Sequence, residues 1–305
     1  MNSTLSRIII LSDYRSWPNC CAALMMTLNC FLGLFFNGGL IYILATDKHP
    51  KTSFNTMCIM RAFNNIIVLI AAFMMVYVPK SLLGFGILPL ELESFLICIS
   101  LNCYLFNEFQ SIYVSINRFI ALYFSNYYNL LCGNWATFIV NFIIFIERVV
   151  HITLETISRI SEEKFISFSP DLLTFTALEV SAEGMIWKTL LMFLVAFIAN
   201  FCTFVKLTLF YLNADCRNDV EKWKLVRKNM RLFSQTILQD ALFFIDNLFT
   251  YHMGEMSNHR FWLFICATFI WQSVHVMDGF IMIMFNDRLS VLKSFIFGGS
   301  DVSSG

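Results

Sequence analysis

Residues 18–44 read PNCCAALMMTLNCFLGLFFNGGLIYIL, with no charged side chain from one end to the other. A bilayer's hydrocarbon core, about 30 Å thick, takes roughly 20 apolar residues of helix to cross. Backbone polar groups in lipid must pair within their own segment, so this run reads as a membrane-spanning helix. Six further apolar stretches follow at fairly even spacing, at about 54–78, 92–116, from 135 onward, 187–211, 232–249 and 261–285. The fourth is the weak one. Its first part, 136–146, is apolar, but Glu147, Arg148 and His151 then interrupt it. The expected fold is an all-α integral membrane protein, a bundle of seven transmembrane helices.

Composition agrees. Of 305 residues, 58% are apolar and 14% charged, against about 25% charged in an ordinary soluble domain. Thirty-four phenylalanines strengthen the reading, because Phe brings no polar atom into lipid. The formal net charge of zero gives no reason to expect a nucleic-acid partner. Ten cysteines form no CxxC pair and read as small apolar filler. The chain has no HExxH, no GxSxG and no Gly-rich phosphate loop, so no catalytic residue, cofactor or metal is expected. Glu147 and His151 stand four apart, but two residues do not make a metal site. The N-terminus shows no cleavable signal pattern, and Asn2-Ser3-Thr4 fits a glycosylation acceptor.

Lys and Arg in the short connectors set the orientation. Lys48 and Lys51 follow the first span. Arg217, Lys222, Lys224, Arg227, Lys228 and Arg231 stand between the fifth and sixth, and Arg288 and Lys293 follow the seventh. All three groups fall on one side only if seven spans are crossed. That side is then cytoplasmic and residues 1–16 are external. Trp17, Trp187 and Trp262 mark outer ends and Trp135 an inner one. The expected organisation is an external segment 1–16, a seven-transmembrane domain 17–297 closing on a short amphipathic piece (288–297), and a cytoplasmic tail 298–305 holding Ser300, Ser303 and Ser304.

Polar residues inside the spans are the candidates for function, since each is costly there. In the third span Glu108, Ser111, Ser115 and Arg118 share one helical face. In the sixth, Gln235, Gln239 and Asp246 share a face, with Asp240 and Asn247 on its neighbour. In the seventh, Trp271, His275 and Asp278 fall at i, i+4 and i+7. Asn29, Gly33 and Asn37 repeat every four residues in the first, and the second adds Arg61, Asn64 and Asn65. Two roles are open: pairing between helices that fixes the bundle's register, or the lining of a ligand cavity and its switching network. The site candidates within the membrane are Glu108, Gln239, Asp240, Asp246, Trp271, His275 and Asp278.

The end of the third span reads Ser115-Ile116-Asn117-Arg118-Phe119, with Tyr127-Tyr128 beyond. This resembles the Asn-Arg-Phe form of the Asp-Arg-Tyr motif of G-protein-coupled receptors. More narrowly, the chain resembles the nematode chemoreceptors of serpentine receptor class X (Srx). Ser53-Phe54 to Cys58 with Arg61-Ala62, Thr203 to Leu207, Arg231 to Gln235 with Gln239-Asp240 and Ile245-Asp246, and Trp271 with His275 to Gly279 and Phe285-Asn286 carry the likeness.

The resemblance implies a receptor in the plasma membrane that binds an external small molecule and signals to a heterotrimeric G protein. It places Asn117, Arg118, Phe119 and Tyr128 at the coupling surface. Three departures bear on mechanism. Asn117 replaces an acidic residue, so no Arg–carboxylate lock can form there. The last three spans hold no proline, so any kink needs another source. Cys98 faces a loop from 156 to 184 without cysteine, which leaves Cys20 or Cys21 as its alternative partners. Two further readings remain open. One is a transporter or channel using the intramembrane carboxylates, against which stands the lack of an internal repeat. The other is a non-signalling divergent receptor whose gene model is faulty near 145–185.

Overall fold

A computed structural model describes residues 17–48, 52–176, 182–212, 220–257 and 259–285. The expected glycosylation acceptor, the amphipathic piece, the serine tail, Lys51 and Arg217 lie outside them. Seven long helices run through the described residues: α1 (Trp17–Thr46), α2 (Ser53–Leu83), α3 (Leu90–Tyr123), α4 (Asn134–Ser161), α5 (Ala182–Leu212), α6 (Val220–Leu248) and α7 (Arg260–Phe285). Six of them are long and apolar enough to cross a membrane. The fold is an all-α membrane bundle.

The helix that falls short of that measure is α6, not α4. The basic run around Arg227, Lys228 and Arg231 continues into the helix, so α6 begins twelve residues before the apolar stretch at Leu232. The supposedly weak α4 is one 28-residue helix. Its buried residues are the polar Thr137, Asn141 and Arg148, and its apolar Phe138, Phe142, Ile143 and Ile146 face outward. This is the amphipathic pattern of a soluble helix turned inside out, as lipid demands. Gln110 on α3 donates to Asn141 Oδ1 at 2.9 Å, and the Arg148 guanidinium lies over the Phe109 ring at 5.2 Å. Of the residues that weakened the sequence signal, Arg148 turns inward onto α3, while Glu147 and His151 stay exposed.

Local signals set the ends. Thr52 Oγ1 accepts the Asn55 N–H to cap α2, and Gly84, at φ 77°, closes it in a left-handed turn that favours glycine. Pro89 precedes α3, whose first turn holds Glu91 and Glu93 against the positive end of the helix dipole. The last three spans hold no proline, and π-helical turns widen the winding at Phe249–Met253 and Phe264–Phe269; a further one in α2, Leu69–Tyr77, lies just before Pro79.

Between α4 and α5 a two-stranded antiparallel hairpin, β1 (Ser167–Ser169) and β2 (Thr174–Thr176), pairs Phe168 with Phe175. It belongs to the core: Ile166, Phe168 and Leu173 are no more than 1% exposed. Phe168 stacks on Tyr77, centroids 4.4 Å apart, and its N–H donates to Glu93 Oε1 at 2.8 Å. Glu93 also takes Lys80 Nζ at 2.7 Å, and Thr268 Oγ1 donates to the Leu173 carbonyl at 2.8 Å. Every described cysteine is free, Cys20, Cys21 and Cys98 included. Polar pins and aromatic packing do the work at this loop, with no disulfide among the described residues.

Candidate functional site

The sequence offered the intramembrane polar residues as one group. The structure divides them into a buried network, a cavity and an outer aromatic cluster.

The network centres on Asp278, on α7 and 1% exposed. Arg61 Nε on α2 donates to both its oxygens, at 2.9 and 2.8 Å. Asn65 Nδ2, one turn along α2, donates to Oδ2 at 2.8 Å, and Gln239 Nε2 on α6 to Oδ1 at 2.8 Å. A charge removed from water needs this kind of saturation, because an uncompensated buried ion costs several kcal/mol. Asn65 extends the network. Its amide donates to Asn37 Oδ1 on α1 at 3.1 Å, and its Oδ1 takes Asn107 Nδ2 on α3 at 2.8 Å. His275 Nδ1 stands 2.8 Å from the same oxygen. Since that oxygen can only accept, the proton of His275 is assigned to Nδ1.

Gly279 lets α1 approach. A Cβ there would stand 2.7 Å from the Asn37 carboxamide, which also donates to the His275 carbonyl at 3.1 Å.

The cavity, about 240 Å³, lies between α3, α5 and α6. Phe193, Phe243, Phe244 and Tyr251 give it aromatic walls; Glu108, Ser111 and Asp240 are among its lining residues, and its surface is almost wholly apolar. Asp240 accepts from Ser111 Oγ on α3 and from Asn200 Nδ2 on α5, the latter at 2.7 Å. Glu108 is 7% exposed, and its Oε2 has no hydrogen-bond partner. Asp246 is buried but does not line the cavity, and its Oδ1 is likewise unpartnered. Gln239 and Asp246 share a helical face in sequence spacing, yet Gln239 enters the network and Asp246 does not.

Trp271 joins neither group directly. It is buried among Phe73, Tyr77 and Phe175, with ring centroids 5.2, 6.2 and 6.1 Å away, and touches the network through His275 at 6.2 Å. It forms the floor beneath the hairpin.

At the other end of α3, the Arg118 guanidinium lies 4.6 Å from the centroid of Phe54 on α2. A cation–π contact thus stands where an ion pair would lock other receptors. Asn117 Oδ1 accepts from Tyr128 Oη at 3.4 Å, and that hydroxyl also contacts Ser53 Oγ at 3.3 Å. Phe119 stacks on Tyr123, centroids 4.6 Å apart. Lys206 Nζ sits over the Tyr123 and Phe210 rings at 5.1 and 5.4 Å. These residues gather at one end of the bundle, with α2, α3 and α5 all present.

The site candidates omitted Arg61, Asn65, Asn37, Asn107 and Asn200. A lone Arg in an apolar span was signal enough for the first. Asn200 is the single amide in a long apolar stretch, and the same reasoning would have found it.

Seven packed helices, six of them long and apolar enough to cross a membrane, thus surround a buried polar core, with an Arg near the end of the third. Residues 28–286 match the model of the serpentine type 7TM GPCR chemoreceptor Srx family, and the chain belongs to that family. No curated protein matches it.

Proposed function

We propose that this protein is a chemosensory receptor of the plasma membrane, with an external N-terminus and a cytoplasmic C-terminus. It binds an external small molecule in the cavity between α3, α5 and α6 and signals to a heterotrimeric G protein at the Arg118 end. The observation that carries the mechanism is the position of two consecutive residues on α6. Asp240 lines the cavity, while Gln239 holds Asp278. A ligand that draws Asp240 away from Ser111 and Asn200 turns the same segment of helix that ties α6 to α2 and α7. Binding then shifts the balance between two packings of α6, as a ligand with different affinities for two states must.

In this reading Arg118, Asn117, Phe119 and Tyr128 form the coupling surface. Among the described residues Arg118 is held by the Phe54 ring, a weaker tie than an ion pair, so it is readily released to a partner. The hairpin's place in the core supports reading 145–185 as a true part of the protein. The ion-path alternative needs free carboxylates in series, and Asp278 is saturated by three donors.

Two measurements test the proposal. Tags at the two termini should be reached on opposite faces of intact and permeabilised cells, and labelling on one face only would contradict the topology. Arg118→Ala should abolish G-protein activation at unchanged surface level, and full activation by that variant would remove Arg118 from the mechanism.

A further inference from the structure

We propose that the cavity between α3, α5 and α6 takes a small, uncharged guest that is mostly hydrocarbon. This rests on the receptor reading above and adds the chemistry of the ligand.

The lining decides the chemistry. Ile112, Met192, Phe193, Ala196, Phe244 and Leu248 stand around the space, and almost all of its surface is carbon. The carboxylates beside it are turned to protein partners. Asp240 accepts from Ser111 and Asn200, and the unpartnered Glu108 Oε2 has no surface to offer a guest. His252, which also lines the space, is exposed. A charged guest would give up its water to an apolar wall, and an ion buried without a partner is strongly unfavourable. A hydrocarbon guest gains instead by removing apolar area from water and by ring contacts. Size sets the second limit. A cavity of about 150 Å³ lined by Leu, Ile and Phe stays dry and admits benzene. This one, about 240 Å³, has room for a somewhat larger guest, below the roughly 300–1,000 Å³ of drug-sized pockets. The space above Trp271 is taken by the chain itself, since Phe168 and Leu173 of the hairpin are fully buried there and Phe168 stacks on Tyr77. The position of the cavity also gives the guest a way to act. Phe193 on α5 and Phe244 on α6 have ring centroids 5.3 Å apart. A guest that parts these rings spreads α5 from α6 and draws Asp240 from Asn200, so α6 moves without any polar contact from the ligand.

The test titrates the full chain in phosphatidylcholine nanodiscs at pH 7 with ethylbenzene, 2-phenylethylamine and 3-phenylpropionate, and reads the thermal unfolding midpoint. Ala196→Phe fills the cavity from α5 and is the reference, because a probe that merely dissolves in the bilayer shifts both proteins alike. The expected result is a saturable upward shift with ethylbenzene that Ala196→Phe lacks, and apparent affinities for the amine and the acid weaker by roughly tenfold or more. Phe193→Ala enlarges the cavity and should strengthen binding of the bulkier 1,3,5-triethylbenzene relative to ethylbenzene, so the test does not depend on the folding of Ala196→Phe alone. Amine or acid bound as tightly as ethylbenzene overturns the proposal, as does the absence of a saturable ethylbenzene shift. The other source of apolar chemistry at this depth is a membrane lipid. A phosphatidylcholine carrying a diazirine at the end of its acyl chain should leave the buried Ala196 unlabelled once ethylbenzene is present. Labelling of Ala196 that persists would assign the cavity to the bilayer and overturn the proposal. These readouts involve no G protein. Ethylbenzene binding in a chain that activates no G protein would overturn the signalling reading alone, and G-protein activation without ethylbenzene binding would overturn this one alone.

Discussion

Gln239 and Asp240 are neighbours on α6 with different partners: the amide of Gln239 donates to Asp278 Oδ1 at 2.8 Å, and the carboxylate of Asp240 takes Ser111 Oγ and, at 2.7 Å, Asn200 Nδ2. The first contact ties α6 to the α2–α7 pair, and the second ties it to α3 and α5. Removing the first should therefore free α6 without any ligand. Gln239→Leu keeps the bulk and deletes the donor. A hydrogen bond to a charged group contributes about 1.5–3 kcal/mol, which is roughly tenfold or more in a two-state balance. Basal G-protein activation, normalised to surface level, should rise by about that factor. Unchanged basal activity would mean that this contact does not hold the resting state.

The Arg61–Asp278 pair should behave as a buried ion pair. Arg61→Met or Asp278→Leu alone leaves an uncompensated charge, at a cost of about 3–5 kcal/mol. Each should lower the unfolding midpoint and the surface level sharply. The double variant should lose less than either single one, since neither charge remains. Losses that simply add would show that the two residues are not coupled.

Close packing at Gly279 gives a third expectation. The Asn37 carboxamide lies where a Cβ would stand, so Gly279→Ala must push α1 from α7. The cost should be about 1–3 kcal/mol of stability, as for other overpacked sites. Asn37→Ala in the same chain should recover part of it, read as the unfolding midpoint. A penalty that is the same with either residue at position 37 would place the strain elsewhere.

The seven helices were legible because lipid imposes a length and an apolar content that few other environments require. What the sequence hid follows from partners far away in the chain. Arg61 and Asp278 are 217 positions apart, and nothing local to either names the other. Glu147, Arg148 and His151 read as a defect in the fourth span because hydropathy sums both faces of a helix; Arg148 in fact turns inward onto Phe109. Helical spacing put Glu108 and Ser111 on one face correctly, and they meet at the cavity. It could not separate Gln239 from Asp246, because entry into the network is decided by the neighbouring helices. The hairpin was the least legible part. Its burial depends on Tyr77 and Glu93, both on other elements.

That hairpin gives a fourth expectation. Glu93 accepts the Phe168 N–H and pairs with Lys80, in a protein where Cys98 has no disulfide. Glu93→Gln retains the shape and removes the charge. Losing a charge-assisted bond of about 1.5–3 kcal/mol should speed amide exchange at Phe168 by roughly 10- to 100-fold. Exchange at Asn65 and Gln239 should not change. Equal exchange at Phe168 in both proteins would show that the hairpin is held without Glu93, by contacts such as the stack on Tyr77 and the Thr268 bond to Leu173.

The most direct measurement is nucleotide exchange on a heterotrimeric G protein in vesicles holding the Gln239→Leu variant, beside the same variant carrying Arg118→Ala. It needs no ligand and reads both ends of the proposed switch. Fast exchange with the first and none above background with the second is the predicted result. Exchange equal in the two, or ion flux through the vesicles with no exchange in either, would contradict a receptor that signals through Arg118.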